Sequence, residues 1–479
     1  MMFQKIFRVF WSLLGICILG GLVYISCIYP RTLGKNSILY SDYGKFYHSQ
    51  RLCIEGKNIY SPIYFVKNRQ NSALDHGFVS DQTTVRQAII PLAGNLNPPF
   101  FTLVSFPLAY LKYAKAILLW TFFSIGAGWI GILLIQQKLD PSSIGSLQTC
   151  LLLLIGLMGY FPSFASIEFG QVSLLLLPLL VLGWCAARSH NSKKAAFILG
   201  ITASFKPFFG LFLLYFFIRQ EWRSLLLCVV TILACGLLSA AFFGIDTYHA
   251  YYQACHQIVW AASSWNVSLY GVLLRFIGGA EKNIPLFFVP HLFIFAYLFL
   301  SALLIGLLIY FLRPVPAIDS QEKVDLDFSI ILLGMLLLSP LGWIYYFPLL
   351  CLPVLILWNF SKKGLLPISL PLLLATFLLF TNLPTTLIPS NDIKANNLLH
   401  VFLGSSLYFF ALIGLAVLLF FVRHLCANKT KRHFESIPSS LLLLVYVVVF
   451  LPSIIGMMMV SESWIRHAAS YSTEYTLIS

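Results

Sequence analysis

The stretch AAFILGITASFKPFFGLFLLYFFI, residues 195–218, decides how the chain is threaded. It is long and apolar enough to cross a bilayer once, a passage that takes ~20 residues of helix. Both its flanks are basic: Arg188, Lys193 and Lys194 precede it, and Arg219 and Arg223 follow. Lys and Arg mark the cytoplasmic ends of membrane spans. A single crossing would put one cluster outside and invert every later loop. Lys206-Pro207 interrupts the stretch near its middle. Proline breaks the helical ladder, and a lysine in hydrocarbon costs ~2.5–3.5 kcal/mol on insertion scales. The segment therefore reads as a re-entrant hairpin with arms 195–205 and 207–218 and Lys206 near its tip.

The remainder of the chain agrees with a membrane setting. Of 479 residues, 59% are hydrophobic and 10% charged, against roughly 25% charged in a soluble domain. Soluble enzymes and disordered chains are excluded, and no ~10-residue alternation suggests a β-barrel. The fold class expected is an all-α polytopic membrane protein, one integral domain over residues 1–479. Spans are expected at 9–29, 113–135, 146–161, 171–187, 223–243, 285–312, 327–340, 343–360, 364–381, 397–422 and 437–460, about eleven in all. The first reads as an uncleaved helix, because no small-residue cleavage site follows it. With Lys5 and Arg8 inside, basic residues alternate correctly once 195–218 is a hairpin. A multi-pass protein of the plasma (inner) membrane follows, its N-terminus cytoplasmic and its C-terminus extracytoplasmic.

The net charge of +14 reflects these anchors rather than a nucleic-acid surface, since no compact basic domain exists. The ten cysteines form no CxxC pair. Cys53 and Cys255 are the two well inside long loops, where a disulfide between them is conceivable.

Two outer loops are long, 31–99 and 244–284. The first contains Asp42, about a dozen residues past the first span and so near the outer surface. A carboxylate there can take a proton from an attacking hydroxyl, or cap a helix. Asp75, Asp81 and Glu55 can assist it or solvate the loop. Asn97-Pro98-Pro99 fixes an extended run into the next apolar stretch. Glu168-Phe169-Gly170-Gln171-Val172-Ser173 opens a span. Gly170 permits a close approach, and Gln171 can meet a ligand or cap the helix. Lys206 needs an anion or water, or snorkels to the interface. Arg275 follows Asn266 in the second loop, and its fork suits phosphate oxygens. His249 and His256 lack the spacing of a metal site. Ser339-Pro340-Leu341-Gly342-Trp343-Ile344-Tyr345-Tyr346 forms a tight outer turn, either an interfacial belt or a wall of a site.

Taken in order, these pieces resemble the polyprenol-phosphate-mannose-dependent mannosyltransferases of glycosyltransferase family 87, in the GT-C superfamily. The matching residues are Asp42 with Tyr47, Gly56 and Tyr60; Pro98-Pro99; Gly170-Gln171; Lys206-Pro207 with Arg219 to Arg223; Asn266, Ser268 and Arg275; and Ser339-Pro340 with Trp343. The resemblance implies a GT-C-type bundle whose site faces outward. It implies a sugar donor, a hexose such as mannose, linked to polyprenyl phosphate, transferred with inversion to a lipid or glycan acceptor. Asp42 stands where such enzymes keep a catalytic carboxylate. Lys206 and Arg275 would hold the donor phosphate, with Gln171, Asn266, Tyr345 and Tyr346 lining the donor site. Where many relatives carry a histidine after the Ser-Pro…Trp turn, this chain has Tyr345-Tyr346. No resident cofactor is expected, and the need for a divalent metal is left open. Two other classes fit the composition. A transporter or flippase would show paired broken helices in two halves, and here only one half has a Lys-Pro break. A polysaccharide ligase or polymerase would place its long basic loop late in the chain.

Overall fold

The structure is a computed structural model describing chiefly residues 41–67, 89–92, 94–143, 146–256, 261–279, 284–315, 318–362, 369–383, 406–427 and 475–477. The spans expected at 9–29 and 437–460, and Asp75 and Asp81, lie outside the described residues.

The helices in chain order begin with α1 (Asp42–Ile54), α2 (Pro99–Ser105), α3 (Tyr113–Leu139), α4 (Leu147–Met158) and α5 (Phe161–Glu168). Next come α6 (Ser173–Arg188), α7 (Ser192–Phe205), α8 (Phe212–Ile218), α9 (Trp222–Phe243) and α10 (Asp246–His256). Then follow α11 (Leu269–Leu273), α12 (Pro290–Leu312), α13 (Ser320–Leu338), α14 (Cys351–Lys362), α15 (Ser369–Thr381) and α16 (Leu407–Ala427).

Five helical stretches are long and apolar enough to cross a membrane: α3, α9, α12, Ile344–Lys362 (a 3₁₀ turn leading into α14) and α16. The pair α4–α5, bent by 65°, makes a sixth if counted as one span. This is a membrane protein. α6 and α15 fall where spans are expected but run only 16 and 13 residues. The all-α expectation is modified by one small sheet. Strand β1 (Ile63–Lys67) pairs antiparallel with both β2 (Ile89–Leu92) and β3 (Tyr475–Leu477), in the order β2-β1-β3.

The apolar helices divide into two kinds. α6 is buried, with Leu174, Leu177, Leu180, Val181 and Trp184 fully enclosed, and packs against α3 and α7. α12 exposes Leu292, Phe295, Leu298, Phe299 and Leu303, as an apolar helix facing lipid does.

α13 begins earlier than expected, at Ser320 rather than 327, because the charges in its first turns are neutralised internally. Asp325 and Asp327 are fully buried. Asp325 accepts from Trp184 Nε1 at 2.8 Å and pairs with Arg188 at 3.3 Å. Asp327 pairs with Lys323 at 2.7 Å and with Arg219 at 3.4 Å. Arg188 and Arg219 flank the Lys206-Pro207 segment on its two sides, yet both meet the same end of one helix. Between them α7 runs 14 residues, ~21 Å, and the return through the 3₁₀ turn Pro207–Leu211 and α8 covers a similar length. Lys206 thus sits at the end of the bundle opposite its two arginine anchors.

Candidate active site

α1 starts at Asp42 because Ser41 caps it. The serine hydroxyl accepts from the Gly44 amide at 3.0 Å, and Asp42 supplies negative charge in the first turn. Capping is therefore Ser41's work, which leaves the Asp42 side chain for other partners. Its Oδ1 pairs with Lys45 Nζ at 2.7 Å, one turn along α1. Its Oδ2 accepts a hydrogen bond from Gln171 Nε2. The Asp42 side chain stays 23% exposed, so a substrate hydroxyl can reach it.

Gln171 arrives at Asp42 through the turn before it. Gly170 has φ +65°, the left-handed region where glycine is favoured. A Cβ at Gly170 would collide with the Cβ of Tyr43. The turn is fixed by three hydrogen bonds: Tyr43 N donates to Phe169 O at 3.0 Å, Gln171 N donates to Ser166 O at 2.7 Å, and Trp120 Nε1 donates to Gly170 O at 2.9 Å. Gln171 does not cap α6: that cap position is Val172, with no side-chain bond. Ser173 pairs its hydroxyl with Ser166 at 2.6 Å. Glu168, expected to open a span with Gln171, instead closes α5 and is buried.

Lys206 reaches the same place from the junction between α7 and the 3₁₀ turn Pro207–Leu211. Its Nζ lies 5.4 Å from the ring centroid of Tyr346, a cation–π distance. The Asp42 charge acts electrostatically on Lys206, Tyr345 and Tyr346. Tyr251 and Cys255 of α10 adjoin this cluster, beside Tyr346 and Lys206 respectively. Cys53 and Cys255 are both free thiols, so the disulfide expectation does not hold. Burial holds the His48 imidazole, also on α1, below its usual range, against a smaller upward pull from Glu55.

Asn266 and Arg275 go elsewhere. Asn266 Nδ2 donates to Ala261 O and to Pro340 O, each at 2.8 Å. Arg275 NH1 donates to the carbonyls of Ser263 at 2.7 Å and Asn266 at 3.1 Å, and its Nε to Ser406 Oγ at 3.1 Å. No described contact joins either residue to Asp42. Asn266 braces the 261–279 segment against the turn that carries the tyrosines, and Arg275 ties that segment together and to Ser406. The backbone adds Val267 N to Gly342 O at 2.8 Å and Ile344 N to Trp265 O at 3.0 Å. A Cβ at Gly342 would run into Leu336 O, so this turn also depends on a glycine.

Asp42, Gln171, Lys206, Tyr345 and Tyr346 thus converge from four stretches of chain. Lys45, Tyr251 and Cys255 join them, although their spacing in sequence gave no sign of it. Among the described residues no three His, Cys, Asp or Glu side chains gather as a metal site. Chemically the arrangement offers a carboxylate with a proton-accepting lone pair, two nearby ammonium groups and two phenols.

The family model for glycosyltransferase family 87 matches residues 95–340. That is 246 of 479 residues, just over half of the chain. It includes Gln171, Lys206, Asn266 and Arg275, and it stops short of Asp42 on one side and Tyr345 on the other. No curated protein and no solved structure matches the chain.

Proposed function

The chain belongs to glycosyltransferase family 87, and from that premise we propose that it transfers a hexose, such as mannose, from a polyprenyl-phosphate donor to a lipid or glycan acceptor with inversion. The reading rests on one observation above the others. A partly exposed carboxylate, Asp42, is oriented by Gln171 and lies within electrostatic reach of Lys206.

In this reading Asp42 accepts the acceptor's hydroxyl proton. The acceptor oxygen attacks C1 of the sugar from the face opposite the phosphate. The C1–O bond breaks with its electron pair moving to the polyprenyl phosphate, and Lys206 offsets the charge that grows there. Tyr345 and Tyr346, where many relatives carry a histidine, give the donor neutral hydroxyls. Asn266, expected as a donor ligand, is assigned instead to holding the tyrosine turn, and Arg275 to ordering the segment that carries Asn266.

The site is assigned to the extracytoplasmic face of the plasma (inner) membrane, with the N-terminus cytoplasmic and the C-terminus outside. The Arg188–Asp325 and Arg219–Asp327 pairs support residues 195–218 as a re-entrant segment, because they hold both its flanks to one helix end. Cysteines introduced at Asn191 and Gln220 are expected to react with an impermeant thiol reagent from the cytoplasmic side only. Labelling from opposite sides would discard the hairpin.

The function is tested in membranes containing equal amounts of wild type or Asp42→Asn, given radiolabelled polyprenyl-phosphate sugars and native lipid extract. The expectation is transfer by wild type from one of the donors and a loss of ~100-fold or more with Asp42→Asn. Equal transfer by both would keep the family and discard the site.

A further inference from the structure

Asp42 carries one unit of negative charge, yet two ammonium groups attend it. Lys45 binds Oδ1 directly at 2.7 Å. Lys206 lies across the cluster, within reach of the Asp42 charge, and forms no ion pair among the described residues. Gln171, on Oδ2, is neutral. The cluster therefore has a surplus of one positive charge. Lys45 is not needed to hold the fold. A pair on one helix, 25% and 23% exposed, contributes only ~0.3–0.5 kcal/mol to stability.

We propose that Lys45 is a positioning residue for the transfer, supplying the second positive charge that keeps the site neutral from start to finish. This rests on the reading of Asp42 as the base for a polyprenyl-phosphate donor. Before reaction the donor is a phosphodiester with one negative charge. With Asp42 ionised and both lysines charged, the four groups sum to zero. During transfer the acceptor O–H proton passes to Asp42, which becomes neutral. The acceptor oxygen bonds to C1, and the electron pair of the breaking C1–O bond stays on the phosphate. The leaving polyprenyl phosphate then carries two negative charges against the same two lysines, and the sum is again zero. Charge moves from carboxylate to phosphate without entering or leaving the site. A single lysine would leave the donor-bound site one negative charge in excess throughout.

Lys45 contacts Asp42 rather than the donor, so its loss is felt through the base. Lys45→Met should lower kcat about 10- to 100-fold, the range for losing one charge-assisted hydrogen bond, with the donor KM changed less than about threefold. Lys45→Arg, which keeps charge and reach, should restore most of the rate. In an Asp42→Asn background, Lys45→Met should cost less than about threefold, because the pair acts as a unit.

The experiment measures kcat and donor KM for Lys45→Met, Lys45→Arg, Asp42→Asn and the double variant, at equal membrane content. The pattern above supports the proposal. A Lys45→Met enzyme with unchanged kcat overturns it while leaving the Asp42 reading intact. So does failure of Lys45→Arg to restore the rate, or a Lys45→Met loss that multiplies fully with that of Asp42→Asn. An Asp42→Asn enzyme with full activity overturns the underlying reading itself.

Discussion

Aspartates meet basic side chains at opposite ends of this bundle, two at one end and one at the other. At one end Asp325 and Asp327 are fully enclosed, fixed by Arg188, Trp184, Lys323 and Arg219. At the other, Asp42 shares a half-open cluster with Lys45, Gln171 and Lys206. The pairings are similar in length and differ in burial. A buried pair is costly to break, because the surviving partner is left charged and dry, whereas an exposed pair contributes little to stability. The enclosed end ties both flanks of residues 195–218 to α13. The open end leaves a carboxylate that a substrate can reach.

The largest effect expected from breaking this contrast is at the enclosed end. Asp327→Ala strands the buried Lys323, while Arg219 keeps Glu221 at 3.0 Å, and should cost ~3–5 kcal/mol, seen as a sharply lower melting temperature in detergent. Restoration of stability by Lys323→Met in that background would sharpen the assignment, and an unaltered melting curve for Asp327→Ala would break it.

Gly170→Ala comes next. It forces a side chain into the left-handed region and against Tyr43, a strain on the order of 1–3 kcal/mol. Relief moves Gln171 away from Asp42, so transfer should fall at least ~10-fold while most of the fold survives. Transfer at the wild-type rate would mean that the turn does not position the base.

Arg275→Ala should cost ~1–3 kcal/mol of stability by orphaning buried carbonyls. Its activity per folded molecule should change less than that of Gly170→Ala. A large rise in donor KM at unchanged stability would return Arg275 to the phosphate. Smallest is Gln171→Ala, which removes one hydrogen bond and should reduce kcat about 3- to 10-fold.

Several of these features were legible in the sequence. Lys206-Pro207 was read as a break in the helix, and α7 ends there; each basic flank has an acidic partner on α13. Gly170 was read as a point of close approach, and Tyr43 is what approaches. Asp42 and Gln171 were singled out 129 residues apart, and they meet. Arg275 and Asn266 looked like ligands because an arginine fork suits phosphate, but backbone carbonyls offer the same fork a partner. Asp325 and Asp327 escaped notice because charges ordinarily end an apolar span. Matching the acids near the start of α13 with the arginines that flank residues 195–218 would have found them. Lys45 escaped for the opposite reason, since a lysine one turn from an aspartate is ordinary on any exposed helix. Strand β3 joins β1 from the far end of the chain, beyond the reach of local pattern.

The most direct test measures sugar transfer and detergent melting on the same preparations of wild type, Asp42→Asn and Asp327→Asn. The account predicts that Asp42→Asn melts like wild type and loses transfer ~100-fold or more. It predicts that Asp327→Asn melts far earlier and, while folded, keeps transfer. An Asp42→Asn enzyme that transfers sugar at the wild-type rate would contradict it.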